Sequence, residues 1–336
     1  MDFPHLTLAE AAALLKGSAH TLILLHRHPD GDAVGAGFAL KLLLEAMGGR
    51  AFCSCDDELP ERLRFLVGDT VASIRADRVP ADFLPTQIIS VDCASPAQVG
   101  EQYSRFEGRI SLMIDHHAKG ELHAPAYVDG KASSAGEMVY RLSRELLRTG
   151  RISAIPDGTD RLLYAAISSD TGCFRYSNAS SAAHAAVSEL LKADFDAADI
   201  NHRLFGVKSH KLLSAEKVGF ERLRLFAEGR IGIVDMPFHV KEEHGFADEH
   251  LDTLVDVARG LQGVQIAAAI RQPTAEGLYR VSMRSSCRAD VSAVCAAFGG
   301  GGHVKAAGCT ILCTEGMEAV IAKVSEALVK ALEVAD

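Results

Sequence analysis

No two of the eight cysteines in this 336-residue sequence have the CxxC spacing. They stand at 53, 55, 93, 173, 287, 295, 309 and 313, mostly in apolar segments, which speaks against a disulfide framework or a zinc knuckle and for reduced, buried thiols. Long hydrophobic runs are also missing, since none approaches the ~18 residues of a membrane span. The N-terminus MDFPHLTLAE has neither a basic leader region nor a signal-type apolar core, so the expected location is the cytoplasm and no membrane partner is expected. Positive charge is in deficit, with 35 Lys and Arg against 44 Asp and Glu for a net charge of −9. A protein that grips long nucleic acid neutralises many phosphates with a broad basic surface, and this balance argues against that mode. It leaves room for a small phosphorylated substrate, because acids that act as metal ligands make the formal count overstate the negative field the substrate meets. Internal repeats and low-complexity segments are absent as well.

What is present is a chain with 48% hydrophobic residues, long enough for two domains. Strand-like runs TLILLH, QIISVD (87–92) and RISLMID (109–115) alternate with helical patterns AVGAGFALKLLLEAMGG and SSAGEMVYRLSRELLRTG, which predicts an α/β fold with a parallel sheet. Two more helices are expected at 160–170 and 180–193, the second opening on a capping serine. From about residue 208 the amphipathic stretch KLLSAEKVGFERLRLFAEG leads to a second set of strands, RIGIVDM, VQIAAAI, LYRVSMRSS and GCTILC. The expected division is a catalytic domain at 1–195, a helical linker at 196–227 and a second domain at 228–336.

Strand ends in a parallel sheet converge on one edge, where ligands bind. The stretch HRHPDGDAVG puts His26, His28, Asp30 and Asp32 behind the first strand. Asp92 ends the second, Asp115, His116 and His117 end the third, and Asp170 follows a helical run in ISSDTG. One such acid after a strand is ordinarily a helix cap or a turn residue. Four such termini together suggest a two-metal site, because mixed carboxylate and imidazole donors without thiolates suit Mn²⁺ or a similar divalent ion. Two ions that share a carboxylate can activate a water at neutral pH, which serves phosphoryl-ester hydrolysis.

The order H-x-x-x-D-x-D, V-D-C-A, D-H-H and S-D-T-G resembles the four motifs of the DHH phosphoesterase superfamily. FGGGGHVKAAG at 298–308 resembles the glycine–histidine signature of the DHHA1 domain that follows the DHH domain in one branch. The resemblance implies an N-terminal DHH domain, a parallel sheet flanked by helices, and a smaller C-terminal α/β DHHA1 domain, with the active site in the cleft between them. It implies His26, Asp30 and Asp92 as ligands of one manganese ion and Asp32, Asp92, His116 and Asp170 as ligands of the other, with Asp92 bridging. Asp92 and His117 are then the catalytic residues, His117 facing the substrate phosphate as proton donor or charge stabiliser. Asp115 would orient a ligating imidazole or cap the next turn, and His28 is a supporting residue rather than a ligand.

Between 259 and 309 there are six Lys or Arg against two acids, a basic region in an acidic chain. Gly300, Gly301 and Gly302 in the four-glycine run would bring backbone N–H groups close to an anion, with Arg284, Ser285, Ser286 and His303 adding donors and Arg271 a further candidate. The bland alternative is a flexible linker beside a solvated basic face. The compact two-domain layout is similar to the nanoRNase and pAp phosphatase group. The expected function is therefore hydrolysis of short RNA oligonucleotides and adenosine 3′,5′-bisphosphate (pAp) through a two-metal-activated hydroxide. The alternative substrate is linear or cyclic di-adenylate (pApA or c-di-AMP). The segment near 208–227 would serve packing between domains and a homodimer contact equally well.

Overall fold

TLILL forms the strand from which the first half of the molecule is organised. In the computed structural model, which describes residues 3–17, 19–68, 75 and 79–335, strands β1 (His20–Leu24), β2 (Arg50–Ser54), β3 (Gln87–Val91), β4 (Leu112–Asp115) and β5 (Ala126–Val128) build a sheet in the order β2-β1-β3-β4-β5. Every pairing in it is parallel. Alternate side chains point to opposite faces. Ile23, Leu25, Ile89, Val91 and Ile114 enter one core with the helices Gly31–Ala46, Ala135–Arg148 and Thr159–Asp170. Leu22, Leu24, Ile88 and Met113 enter a second core with Phe83, Val99 and Phe106. Because β1 leads to β2 on one side and the chain then returns to β3 on the other, the topological switch point lies between β1 and β3. Loops leaving the carboxyl ends of those two strands part there and open the crevice in which α/β sheets bind ligands.

The chain divides into two compact units, residues 1–207 and 208–336. The segment 196–227, expected as a helical linker, is shared between them. Ile200 packs into the first core, whereas Ala215 and Val218 of the helix His210–Glu221 pack into a core of the second unit. The helical pattern also stops earlier than expected, because residues Leu223–Phe226 form a strand, β6, antiparallel to β7 (Ile231–Met236). With β8 (Ile266–Arg271), β9 (Leu278–Ser285), β10 (Gly301–His303) and β11 (Ala306–Leu312) they make a mixed sheet in the order β10-β11-β9-β8-β7-β6. One face of this sheet is covered by the helices Val291–Ala297 and Met317–Ala335. On the other face, helices His210–Glu221 and Leu254–Arg259 cover β7 and β8. Among the described residues no helix is long and apolar enough to cross a membrane, and all eight cysteines are free thiols.

Candidate functional site

The switch point of the first sheet gathers the predicted acids and histidines. Asp30 is the N-cap of the helix Gly31–Ala46, its Oδ1 accepting the amides of Asp32 and Ala33 at 2.9 and 3.0 Å. The capping role expected of a lone Asp after a strand is therefore real, and it also holds the carboxylate where Oδ1 faces His26 Nε2 at 3.7 Å. His26 Nδ1 bonds the Arg27 carbonyl at 2.7 Å, which turns Nε2 toward the cluster, as ligating imidazoles are turned. Asp92 lies between the two histidines, Oδ2 3.4 Å from His26 Nε2 and Oδ1 3.6 Å from His116 Nε2. His116 Nε2 is also 3.7 Å from Asp32 Oδ2 and 3.8 Å from Asp170 Oδ2.

These separations exceed hydrogen-bond length and fit donor atoms that share an ion at ~2.1 Å. His26, Asp30 and Asp92 form one group able to hold a metal ion, and Asp32, His116 and Asp170 a second. Asp92 Oδ1 is buried with no hydrogen-bond partner. A buried carboxylate oxygen left so costs about 1–3 kcal/mol or more, so a cation there removes a penalty that the protein alone does not. Asp92 also sits in the left-handed region, φ 59°, a conformation that Asp tolerates better than most residues and that accumulates at functional sites. Its amide still donates to Ile114 of β4 at 2.9 Å, so the strand ladder holds the strained residue in place.

Burial pushes the Asp92 carboxyl up, but the contacts with His116 and His26 outweigh it and hold the group well below the usual carboxylate range. Burial likewise opposes protonation of His26 and His116, and their carboxylate neighbours raise both well above the usual imidazole value. Asp32 moves well upward, through burial and the charge of Asp92, and Asp170 is pushed up to about 7, mainly by burial. Crowded carboxylates that disfavour one another's charge are the electrostatic profile of a cation site.

At the end of β4, Asp115 Oδ1 accepts from His117 Nδ1 at 2.8 Å. Burial lowers the His117 ring's affinity for a proton, and Asp115 more than restores it, so the net shift is upward. His28 departs from expectation. It is exposed, lies at φ 53°, and its amide and Nδ1 face Asp57 at 2.9 and 3.3 Å, so the turn carries it away from the cluster it was expected to support.

In the second unit, strand register lines up the predicted anion-binding residues. His303 pairs with Ala306, and Ala306 with Arg284, so all three share one face. The glycine run has a packing reason that the sequence did not disclose. A Cβ at Gly300 would lie 2.2 Å from the Gly308 carbonyl oxygen, and Gly302 has φ 137°. The Gly300 amide donates to Cys295 O at 2.8 Å, so it closes the end of the preceding helix and does not face an anion. Gly301 alone of these three has open space beside it. Ser285 and Ser286 turn their hydroxyls to the Cys287 and Gln265 carbonyls, and Arg271 is paired with Asp252 at 2.8 Å.

Three residues not singled out from sequence brace the donor cluster. Ala135 and Gly136 donate their amides to Asp32, and Asn178 donates to Asp170. A Ser-Ser before a helical run is an ordinary cap signal and Asn178 lies in an unpatterned loop, so neither carried a mark of function.

Residues 20–167 match the DHH family, N-terminal domain, and residues 235–330 match the DHHA1 domain. A probable bifunctional oligoribonuclease and PAP phosphatase NrnA of Streptococcus mutans is 28% identical over 88% of this chain and 91% of its own length. The bifunctional oligoribonuclease and PAP phosphatase NrnA of Thermus thermophilus is 29% identical over 90% of this chain and 87% of its own. The crystal structure of an exopolyphosphatase-related protein from Bacteroides fragilis superposes with a TM-score of 0.81 at 22% identity, covering 93% of this chain and 92% of that one, a likeness of fold. With the motif residues gathered at one switch point and both family models matched in order, the chain carries a DHH family N-terminal domain followed by a DHHA1 domain.

Proposed function

We propose that the chain is a metal-dependent hydrolase that cleaves phosphate esters in short RNA oligonucleotides and in pAp. The observation that carries the reading is Asp92, buried between His26 and His116 with one oxygen directed to each group of donors. Relatives named as oligoribonucleases and PAP phosphatases, similar over nearly the whole chain, supply the substrate class. His26, Asp30 and Asp92 would hold one divalent ion and Asp32, Asp92, His116 and Asp170 a second, with Mn²⁺ favoured by the oxygen and nitrogen donors. Ions so held supply a water nucleophile at neutral pH and neutralise charge on the phosphoryl group.

The protein's own residues supply the rest. His117, fixed through Nδ1 by Asp115 and raised in proton affinity, presents Nε2 as a proton donor to the leaving oxygen. In the second unit, Arg284 and His303 on one sheet face offer cationic and hydrogen-bonding groups to a further phosphate or sugar. Free cysteines suit a reducing, cytoplasmic setting.

The test is turnover with Mn²⁺ on a ribodinucleotide, a ribo-oligomer of about five residues, pAp, pApA, c-di-AMP and pyrophosphate, each with an EDTA control. Hydrolysis of short RNA and pAp, abolished by EDTA, is expected. Selective cleavage of pApA or c-di-AMP would make the chain a signalling phosphodiesterase instead, and EDTA-resistant turnover would overturn the metal reading.

A further inference from the structure

The sheet presents His26, Asp92 and His116, but Asp32 and Asp170 reach the cluster from helices. Asp32 lies in the first turn of Gly31–Ala46, and Asp170 is the last residue of Thr159–Asp170. Both are tied to one short stretch of backbone, residues 133–136. The amides of Ala135 and Gly136 donate to Asp32 Oδ2 and Oδ1 at 2.7 and 2.8 Å. Asn178 Nδ2 donates to the Ser133 carbonyl at 2.9 Å, and the same nitrogen lies 3.0 Å from Asp170 Oδ2 and 3.1 Å from the Asp170 carbonyl. Three oxygen acceptors around one atom require the donor end of the amide there, so the partners settle which end of the Asn side chain points at Asp170.

We propose, on the metal reading above, that Asn178 is a positioning residue. It locks Asp170 to the same turn of backbone that holds Asp32 and so sets the spacing of two carboxylates in one metal subsite. Asp170 Oδ2, the atom it holds, is the one that faces His116. The Asp170 side chain is 29% exposed, so without Asn178 it has room to rotate toward solvent.

The loop between them is built to deliver Asn178. Gly172, Cys173 and Phe174 are all left-handed, at φ 58°, 57° and 62°. Two of these are not glycine, and each such residue costs about 1–2 kcal/mol. Thr171 compensates: its carbonyl accepts the amides of Arg175 and Tyr176 at 3.0 Å each, and its hydroxyl accepts that of Phe174 at 3.1 Å. The tight reversal returns the chain to the end of the helix it has just left. The other anchor is rigid too, since Glu137, 1% exposed, accepts both the amide and the hydroxyl of Ser133 at 2.8 Å. Gly136 completes it, because a Cβ there would lie 2.4 Å from Ala166 of the helix that carries Asp170.

The experiment titrates the metal-free full chain with Mn²⁺, reading heat by calorimetry and free ion by electron paramagnetic resonance, for wild type, Asn178→Ala and Asn178→Leu. Leu keeps the branched shape of Asn and removes its donors, in case Ala does not fold. Wild type should bind two ions per chain. In the variants one ion should weaken about 10- to 100-fold, the range for loss of a group that orients a ligand, while the other ion and the metal-free melting temperature hold. Two ions bound as in wild type would overturn the proposal and leave the metal reading intact. A lowered metal-free melting temperature with both ions weakened together would overturn it in favour of a role in folding. Failure of wild type to bind Mn²⁺ would overturn the metal reading, and the proposal with it.

Discussion

The donor cluster of the first unit and the basic strand face of the second solve opposite problems. Around Asp92 the crowded carboxylates repel one another, so each donor must be aimed by something else: Asp30 by helix amides, Asp32 by Ala135 and Gly136, His26 by the Arg27 carbonyl. On the second sheet several of the cations are already engaged. Arg271 is paired with Asp252, and Arg284 donates to the Met283 carbonyl at 3.0 Å. A reaction centre gains from donors held before the substrate arrives. A phosphate-facing surface can rely on strand register to put His303 and Arg284 in one row. The first region is therefore sensitive to the loss of a single atom, and the second to the loss of a whole side chain.

The largest expected effect tests the first half of that contrast. Asp92→Asn keeps the shape and removes the charge shared by both donor groups. Turnover of a ribodinucleotide with Mn²⁺ should fall by roughly three orders of magnitude, about 4 kcal/mol of barrier, with the far-ultraviolet circular dichroism unchanged. Near-normal turnover would remove the two-ion assignment.

A smaller effect belongs to the second unit. His303→Ala should lower kcat/KM on the dinucleotide or pAp about tenfold, the worth of one hydrogen bond to a charged group, and leave bis-p-nitrophenyl phosphate nearly unchanged. Equal losses on both would make His303 structural.

The finest test is one of pH. Asp115 raises the His117 proton affinity above its ordinary value, so in the native protein the protonated ring persists to higher pH than a free imidazole. If that ring is the acid, activity is lost as pH rises through its native pKa. Asp115→Asn should then move the alkaline limb of the kcat profile to lower pH. An unmoved limb would assign the proton to another group.

Much of the fold was legible because its signals are periodic. β1, β3 and β4, the long helices after β1 and β4, and four strands of the second sheet stand where the apolar patterns put them. What escaped was pairing. β10 is Gly-Gly-His and has no apolar residue to announce it; it is a strand only because β11 lies beside it. In β6, Leu223 and Leu225 continue an amphipathic stretch, and β7 alone turns them extended. His28 shows the same limit within the site, since the motif spacing picks His26 as the ligand but does not say that a left-handed turn sends His28 outward.

By itself the sequence determined the inventory of the centre: four aspartates and two histidines, of types that share oxygen and nitrogen donors, most of them just past strands that a parallel sheet brings to one edge and Asp170 at the end of a helical run. It also determined, through the glycine run and DHH triplet, the family. Tertiary structure decided which atom faces which: Asp92 with an oxygen for each histidine, Asp115 on His117, and Asn178 returning to Asp170. The reason is one of length scale. Residue order and apolar period specify faces and edges to within a residue, whereas coordination chemistry depends on tenths of an ångström. Those come only from packed helices, strand register and backbone donors contributed by segments more than a hundred residues apart.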